Sequence, residues 1–471
     1  MNHIHFLGIA GIGVSALAQV ALARGACVSG SDPGADPQIN PAIARLLAGG
    51  ATLYREHRAE NLVEDVNLVV ASAAIAENNP EVQEALCRGV RVVSRAEFLG
   101  ELMAAHLGPK IAIAGTHGKT TTTGMIGVML QHAGLDPTVF VGGEVAQLGG
   151  NVRIGSAAGP FVAEACEAYD SFLALKPDIA VITNIEADHL DYYGTFDRVL
   201  DSFGRFVTIS QNRPIAVLCV DDVGVQRLIP RTPEEQPRVT YGIETSEATN
   251  RAVNISLGRT AAFDWVSRRG GAWISLGVPG RHNVLNALAA AIVGHELGLS
   301  AAAIAAGLAE FKGAGRRQEI LGEVAFEGGS VLVMDDYAHH PAEIRVTLEA
   351  LRAAYPERRL VAIFQPHLYS RTRDFLPEFA AALSQADALI VTDVYAARET
   401  PIEGVQADDI VGQASKLNPH APARFVPDKR DIPAELAALV RPNDLTVFLG
   451  AGDIRTQGDA FLSLLQRRAE G

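Results

Sequence analysis

The stretch Ile111-Ala-Ile-Ala-Gly115-Thr-His-Gly118-Lys119-Thr120-Thr121 decides the reading of this chain. A short apolar run passes through two glycines into good helix-forming sequence, which is the pattern of a strand, a tight loop and a helix. Such a loop suits phosphate. Glycines let backbone N–H groups approach the oxygens and the helix N-terminus adds positive potential, while Lys119 neutralises β- and γ-phosphate charge and the Thr120 hydroxyl suits Mg²⁺. The run departs from the full Walker pattern, because Ile113 stands where its first glycine belongs. A Gly-Lys-Thr in an ordinary turn is the plain alternative. Its place at a strand-to-helix junction favours nucleotide binding.

On the N-terminal side, residues 3 to about 105 alternate short β-branched runs (4–9, 27–30, 67–72, 90–93) with helical stretches (14–24, 41–49, 80–88), the mark of a parallel, doubly wound sheet. After a break at 106–110 a second α/β unit starts, with strands expected over 111–114, 161–165, 179–183 and 215–220. Residues 230–275 turn polar with short alternating runs and read as an antiparallel extension, followed by a long helix after Gly280. A Gly-rich hinge over 311–317 leads into further β-α alternation, with strands at 330–334, 360–364, 388–392 and 444–449. The expectation is an α/β protein of three domains: a Rossmann-like one over 1–107, a central P-loop ATPase-like one over 108–314 with a parallel sheet plus a small antiparallel extension, and a C-terminal Rossmann-like one over 315–471.

The 471 residues suit about three cores of roughly 150 residues each. With 40 Lys plus Arg against 54 Asp plus Glu the net charge is −14, which disfavours nucleic acid and acidic membrane surfaces as partners. The four cysteines, at 27, 87, 166 and 219, form no CxxC pair, so thiols in a reducing interior are expected. The opening residues carry no leader-like pattern, and the Ala-rich stretch 287–308 is too polar to span a bilayer. A cytoplasmic protein is expected.

Other strand ends carry chemistry of their own. Glu164-Ala-Cys-Glu167 and Asn184-Ile-Glu-Ala-Asp188-His189 follow strands of the central domain, so Glu164 and His189 could converge beside the phosphate loop and hold a second Mg²⁺. Gly8-Ile-Ala-Gly11-Ile-Gly13 with Asp32 resembles a dinucleotide turn, yet its glycine order inverts the NAD fingerprint and fits a diphosphate on another nucleotide. Tyr337, His339 and His340, and then His367, Tyr369, Arg371 and Arg373, follow strands of the third domain and suit a polar anionic substrate; helix capping before Pro341 is the bland alternative for the histidine pair. Asn283 and Asn286 open a helix, where they could bond a purine edge or cap the helix.

Together these segments resemble the Mur ligases, ATP-dependent amide-forming enzymes of peptidoglycan precursor synthesis. The motifs run nearly end to end, through His5–Gly13, Ser29–Asp32, Gly115–Thr121, Thr183–Tyr193, Phe311–Arg317, Asp335–Pro341 and Phe364–Arg371. The resemblance implies ATP and Mg²⁺ as cofactors, with UDP-N-acetylmuramate and L-alanine as small-molecule substrates. The lactoyl carboxylate would attack the γ-phosphorus, and the amine would then displace phosphate from the acyl phosphate. Gly115, Thr116, His117, Gly118, Lys119, Thr120, Thr121, Asn283, Asn286 and Arg316 are implied at ATP. Thr120 and Glu164 are implied at metal, with His189 either ligating the second metal or orienting the acyl group, and Gly11, Ile12, Gly13, Asp32 and Ser72 are implied at the UDP-sugar. Tyr337, His339, His367 and Arg371 are implied on the substrate side, with Lys119, His189 and Arg371 catalytic. Domain closure through the hinge is expected. Two departures stand out: Cys166 replaces a carboxylate common in this family, and Leu368 an arginine, which leaves Arg371 as the expected partner of the amino-acid carboxylate. A tripeptide-adding ligase of the same family, an NAD-dependent dehydrogenase and a binding protein that has lost catalysis are the competing readings.

Overall fold

In the computed structural model, residues 2–209, 214–397 and 399–470 are described. Strands β1 His3–Leu7, β2 Cys27–Ser31, β3 Thr52–Tyr54, β4 Val66–Ala71 and β5 Arg91–Ser94 form an all-parallel sheet in the order β3-β2-β1-β4-β5. The order reverses beside β1, so the carboxyl ends of β1, β2 and β4 frame a crevice. One face of β1 buries Ile4 and Phe6 in a large apolar core, while Leu7 packs on the other side with Leu62, Val66, Val69 and Ala85.

The second sheet comprises β6 Lys110–Ala114, β7 Thr138–Val145, β8 Gly150–Arg153, β9 Phe161–Glu164, β10 Ile179–Ile182, β11 Ile215–Cys219, β12 Arg238–Gly242, β13 Asn250–Leu257, β14 Ala261–Ser267 and β15 Gly270–Ser275. Their order is β15-β14-β13-β12-β11-β10-β6-β9-β7-β8, which seats β6 between β10 and β9. The extension expected to be antiparallel begins otherwise, since β12 runs parallel to β11 and β13 parallel to β12. The helix Val223–Leu228 explains the first of these pairs, because a helical crossover returns the chain in its original direction. An unforeseen antiparallel pair, β7 with β8, closes the far edge.

The third sheet has β16 Glu319–Phe326, β17 Gly329–Asp336, β18 Arg359–Phe364, β19 Ala388–Val391, β20 Ala423–Phe425 and β21 Asp444–Leu449, in the order β16-β17-β21-β18-β19-β20. It is parallel except for the β16–β17 hairpin, whose first strand the alternation reading passed over. The chain divides into one compact unit of Met1–Asn254, Phe263–Ile274 and Leu285–Lys312, and another of Ile255–Ala262, Ser275–Val284 and Gly313–Gly471. No helix among the described residues is long and apolar enough to cross a membrane.

One buried charge makes the first sheet acid-sensitive. Burial alone would push the Glu81 carboxyl up, but hydrogen bonds from His5, Ser31, Asn61 and His57 outweigh it and hold it at about 2, against a usual value of 4.5. A depressed carboxyl contributes stability above pH 4.5 that is lost as pH falls towards 2, here about 3 kcal/mol. Urea unfolding as a function of pH is therefore expected to show Glu81→Gln less stable than the parent at pH 7, with the gap closing between pH 4.5 and 2.

Candidate active site

Parallel pairing places the Gly115–Thr121 loop. In register, Ile182 of β10 lies beside Ala114 and Glu164 of β9 beside Ile113, so the segments leaving both neighbouring strands flank the loop that leaves β6. The loop is laced to the 183–186 segment. Thr116 N donates to the Asn184 carbonyl (3.1 Å) and His117 N to Asn184 Oδ1 (2.8 Å). Thr183 Oγ1 and Asn184 Nδ2 donate to the His117 carbonyl (2.6 and 3.0 Å), and Glu186 N to Thr116 Oγ1 (2.8 Å). Gly115 has φ +134°, and a Cβ there would lie 2.1 Å from Thr183 Oγ1. Gly118 has φ +82°, and its Cβ would lie 2.7 Å from Asn286 Oδ1. Only glycine fits either position. The helix Lys119–His132 starts here, and its first-turn amides have no partner within the helix.

Lys119 is turned onto its own loop, donating to the carbonyls of Gly115 and Thr116 and to the nearly buried Glu167 (Nζ–Oε2 3.0 Å). Burial would lower its pKa, but the charge and hydrogen bond of Glu167 and the charge of Glu164 outweigh that and hold the ammonium above its usual value. Glu167 had no assigned role in the sequence; the second carboxylate of Glu-Ala-Cys-Glu was the available signal. Burial, with Glu167 next to it, pushes the Cys166 thiol up, so it stands as a neutral group. Glu164 accepts from Gly142 N across β7. His189 takes a left-handed conformation (φ 53°) and its Nε2 lies 3.9 Å from Asp188 Oδ2. Just beyond it a cavity of about 370 Å³ lies among Asp170, Tyr192, Tyr193, Arg198 and Arg205.

Around the N-terminal turn, Asp32 braces the loop: Oδ2 accepts from Ala10 N (3.1 Å) and Oδ1 from Gly34 N (2.7 Å). Ser72 lies against Gly8, where an added Cβ would come within 2.9 Å of its own. Gly11 caps the helix Ile12–Ala23, and the Ile12 carbonyl accepts from Asn151 Nδ2 of the central sheet (2.6 Å). Sequence reading missed Arg95. Its guanidinium covers Gly13, 3.1 Å from where a Cβ would stand, and its charge reaches Cys166, so one cation lies between this turn and the Lys119 site. A basic residue directly after a strand end, here after Ser94, was the signal.

Asn286 accepts from Thr122 Oγ1 (3.2 Å), which ties the second helix to the start of the first. In the other unit, Asn283 Nδ2 donates to the Pro279 carbonyl (2.7 Å). Arg316 spends its guanidinium on Asp335 and on the carbonyls of Gly450 and Gly452, stacked on Tyr337. Arg317 stacks on the same ring, with Glu343 at 3.8 Å. The structure does bring His339, His367, Tyr337 and Arg371 together: His339 meets the rings of Tyr337 and His367, and Arg371 reaches His367 Nδ1 (3.4 Å). Burial, with His339 and Arg371 beside it, pushes His367 down to about 4, and burial lowers His339 as well, so both imidazoles are neutral acceptors at physiological pH.

Three family descriptions match successive parts of the chain: "Mur ligase family, catalytic domain" over 3–107, "Mur ligase middle domain" over 113–294 and "Mur ligase, glutamate ligase domain" over 316–452. The chain belongs to the Mur ligase family. Proteins named UDP-N-acetylmuramate–L-alanine ligase from Geobacter sulfurreducens and Sorangium cellulosum are each 45% identical to it, over 99% and 96% of this chain and 98% and 94% of theirs. Among solved structures, the UDP-N-acetylmuramate-alanine ligase of Thermotoga maritima matches with a TM-score of 0.82 at 30% identity, covering 99% of this chain and all of that one. A murein peptide ligase from Psychrobacter arcticus matches at 0.72 and 26%, covering 99% of each chain. Family membership makes the loop at Lys119 part of an ATP-dependent ligase.

Proposed function

We propose that this chain joins L-alanine to the lactoyl carboxylate of UDP-N-acetylmuramate through an acyl phosphate, releasing ADP and phosphate, as a cytoplasmic step of peptidoglycan precursor synthesis. The observation that carries the reading is the Lys119 loop, held between two strand-end segments with its ammonium already facing an anion. The relatives' names supply the acceptor. A carboxylate is a poor acylating agent, and phosphorylation gives it a leaving group. Two anions must meet in that step, so cations and backbone amides matter more than a strong base.

In this reading the 115–121 loop holds the ATP phosphates, with Asn283, Asn286 and Arg316 towards the nucleotide. Thr120, Glu164 and His189 are the proposed Mg²⁺ ligands. The hydroxyl and carboxylate oxygens are hard donors that fit this ion, which when bound supplies charge neutralisation at the phosphates. Gly11, Ile12, Gly13, Asp32 and Ser72 hold the UDP-sugar, and Arg95 adds a cation for its diphosphate. Tyr337, His339, His367 and Arg371 receive the amino acid: the guanidinium takes the carboxylate, and the neutral imidazoles accept hydrogen bonds from the ammonium. Phosphate release from Mg-ATP plus UDP-N-acetylmuramate tests the reading, run with L-alanine, glycine, L-serine, the tripeptide or no acceptor. Release that requires L-alanine, with a product heavier by one alanine residue, is expected. Turnover with the tripeptide alone would reassign the acceptor.

A further inference from the structure

The first sheet carries a line of polar side chains that the proposed reaction does not use. His3 and His5 are two apart on β1 and share one face. Asp65 Oδ1 lies 2.9 Å from His3 Nδ1, His3 Nε2 lies 2.9 Å from Ser29 Oγ, Ser29 Oγ lies 2.8 Å from His5 Nδ1, and His5 Nε2 lies 3.3 Å from Glu81 Oε1. His5 and Glu81 are fully buried and His3 is 8% exposed, whereas Asp65 is 72% exposed. Facing this line are Ser31 on β2, Tyr54 on β3 with its ring 6.4 Å from that of His5, and Asn61 and His57, both hydrogen-bonded to Glu81.

The two ends only accept. Glu81 is held ionised by its donors, and the bond from His3 lowers Asp65. Between two carboxylates the line has four gaps, and each hydrogen bond needs one hydrogen. Neutral His3 and His5 bring one N–H each and Ser29 one O–H, which makes three. We propose that His3, Ser29 and His5 together bind one additional proton at neutral pH, and that this proton links pH to the grip of the neighbouring glycine turn.

The proton has two homes. On His5, both ring nitrogens donate and Ser29 turns its hydroxyl to His3 Nε2; on His3, Ser29 turns to His5 Nδ1. Exchange moves a proton from one ring to Ser29 Oγ as the hydroxyl proton passes to the other ring. When the proton leaves, two ring lone pairs face one hydroxyl and a buried acceptor goes without a hydrogen. That loosens a turn built on the same strands. The Ser31 carbonyl accepts from Gly8 N (2.9 Å), Ser31 Oγ donates to Glu81 (2.6 Å), and the adjacent Asp32 holds Ala10. The coupling rests on the assignment of this turn to the UDP-sugar; the proton count does not.

Asp65→Asn is the test, because an exposed amide can donate to His3 Nδ1 and supply the fourth hydrogen with both rings neutral. In ¹⁵N-histidine-labelled protein at pH 7, with signals assigned through His3→Gln and His5→Gln, three of the four ring nitrogens are expected to be protonated in the parent and two in Asp65→Asn. Two in the parent overturns the bound proton. Calorimetric titration of UDP-N-acetylmuramate between pH 6 and 9 is expected to weaken on the order of tenfold in the parent and stay flat in Asp65→Asn, the worth of one unmade buried hydrogen bond. Identical pH dependence in the two overturns the coupling. If the UDP-sugar binds neither protein at any pH, the substrate assignment and the coupling fall together, while the nitrogen count still decides the proton.

Discussion

Lys119→Met is expected to lower ATP-dependent phosphate release by at least about a thousandfold while leaving UDP-sugar affinity within about twofold, since of the two ligands only the nucleotide loses a cation. The variant also has a structural consequence. Glu167 is 4% exposed and pairs with Lys119, so removing the ammonium strands a buried carboxylate. Breaking such a pair from one side costs about 3–5 kcal/mol. The double variant Lys119→Met, Glu167→Gln is therefore expected to regain most of the lost thermal stability and none of the turnover. Recovery of turnover in the double variant would make Lys119 a partner of Glu167 and not of phosphate.

Gly115→Ala is expected to reduce turnover by more than about a hundredfold and to raise the KM for ATP, because the loop can no longer keep its shape. At φ +134° an alanine pays backbone strain of about 1–3 kcal/mol. Its Cβ would also displace Thr183 Oγ1, the group that holds the His117 carbonyl. Gly50→Ala serves as the control. It shares a positive φ (93°), but nothing lies within 4 Å of its added Cβ, so it is expected to cost stability without changing KM. Steady-state kinetics beside thermal melts separates the two effects.

Much of the site was legible because it sits at strand ends, where hydrophobic runs stop and chemistry begins. The alternation that marked β6, β9 and β10 also put Glu164 and the 183–186 segment on either side of Lys119. What side chains do once folded was less legible. Asn286 and Arg316 carry the right chemistry for a nucleotide, yet the structure engages Asn286 with Thr122 and Arg316 with two backbone carbonyls, partners that no local pattern announces. Arg95 and Glu167 were missed for the converse reason: each looks like an ordinary polar residue beside a helix start until distant segments meet it. The β16 strand and the helical crossover before β12 were lost to short, half-exposed sequence with weak periodicity.

The most direct test of the ligase mechanism follows an oxygen atom. UDP-N-acetylmuramate labelled with ¹⁸O in both lactoyl carboxylate oxygens is turned over with Mg-ATP and L-alanine, and the released phosphate and the amide product are weighed by mass spectrometry. Attack of the carboxylate on the γ-phosphorus, followed by displacement of phosphate by the amine, predicts one ¹⁸O in each phosphate and one retained in each amide. Unlabelled phosphate, formed at the same rate whether or not L-alanine is present, would mean that water attacks ATP in this site and would contradict the acyl-phosphate account.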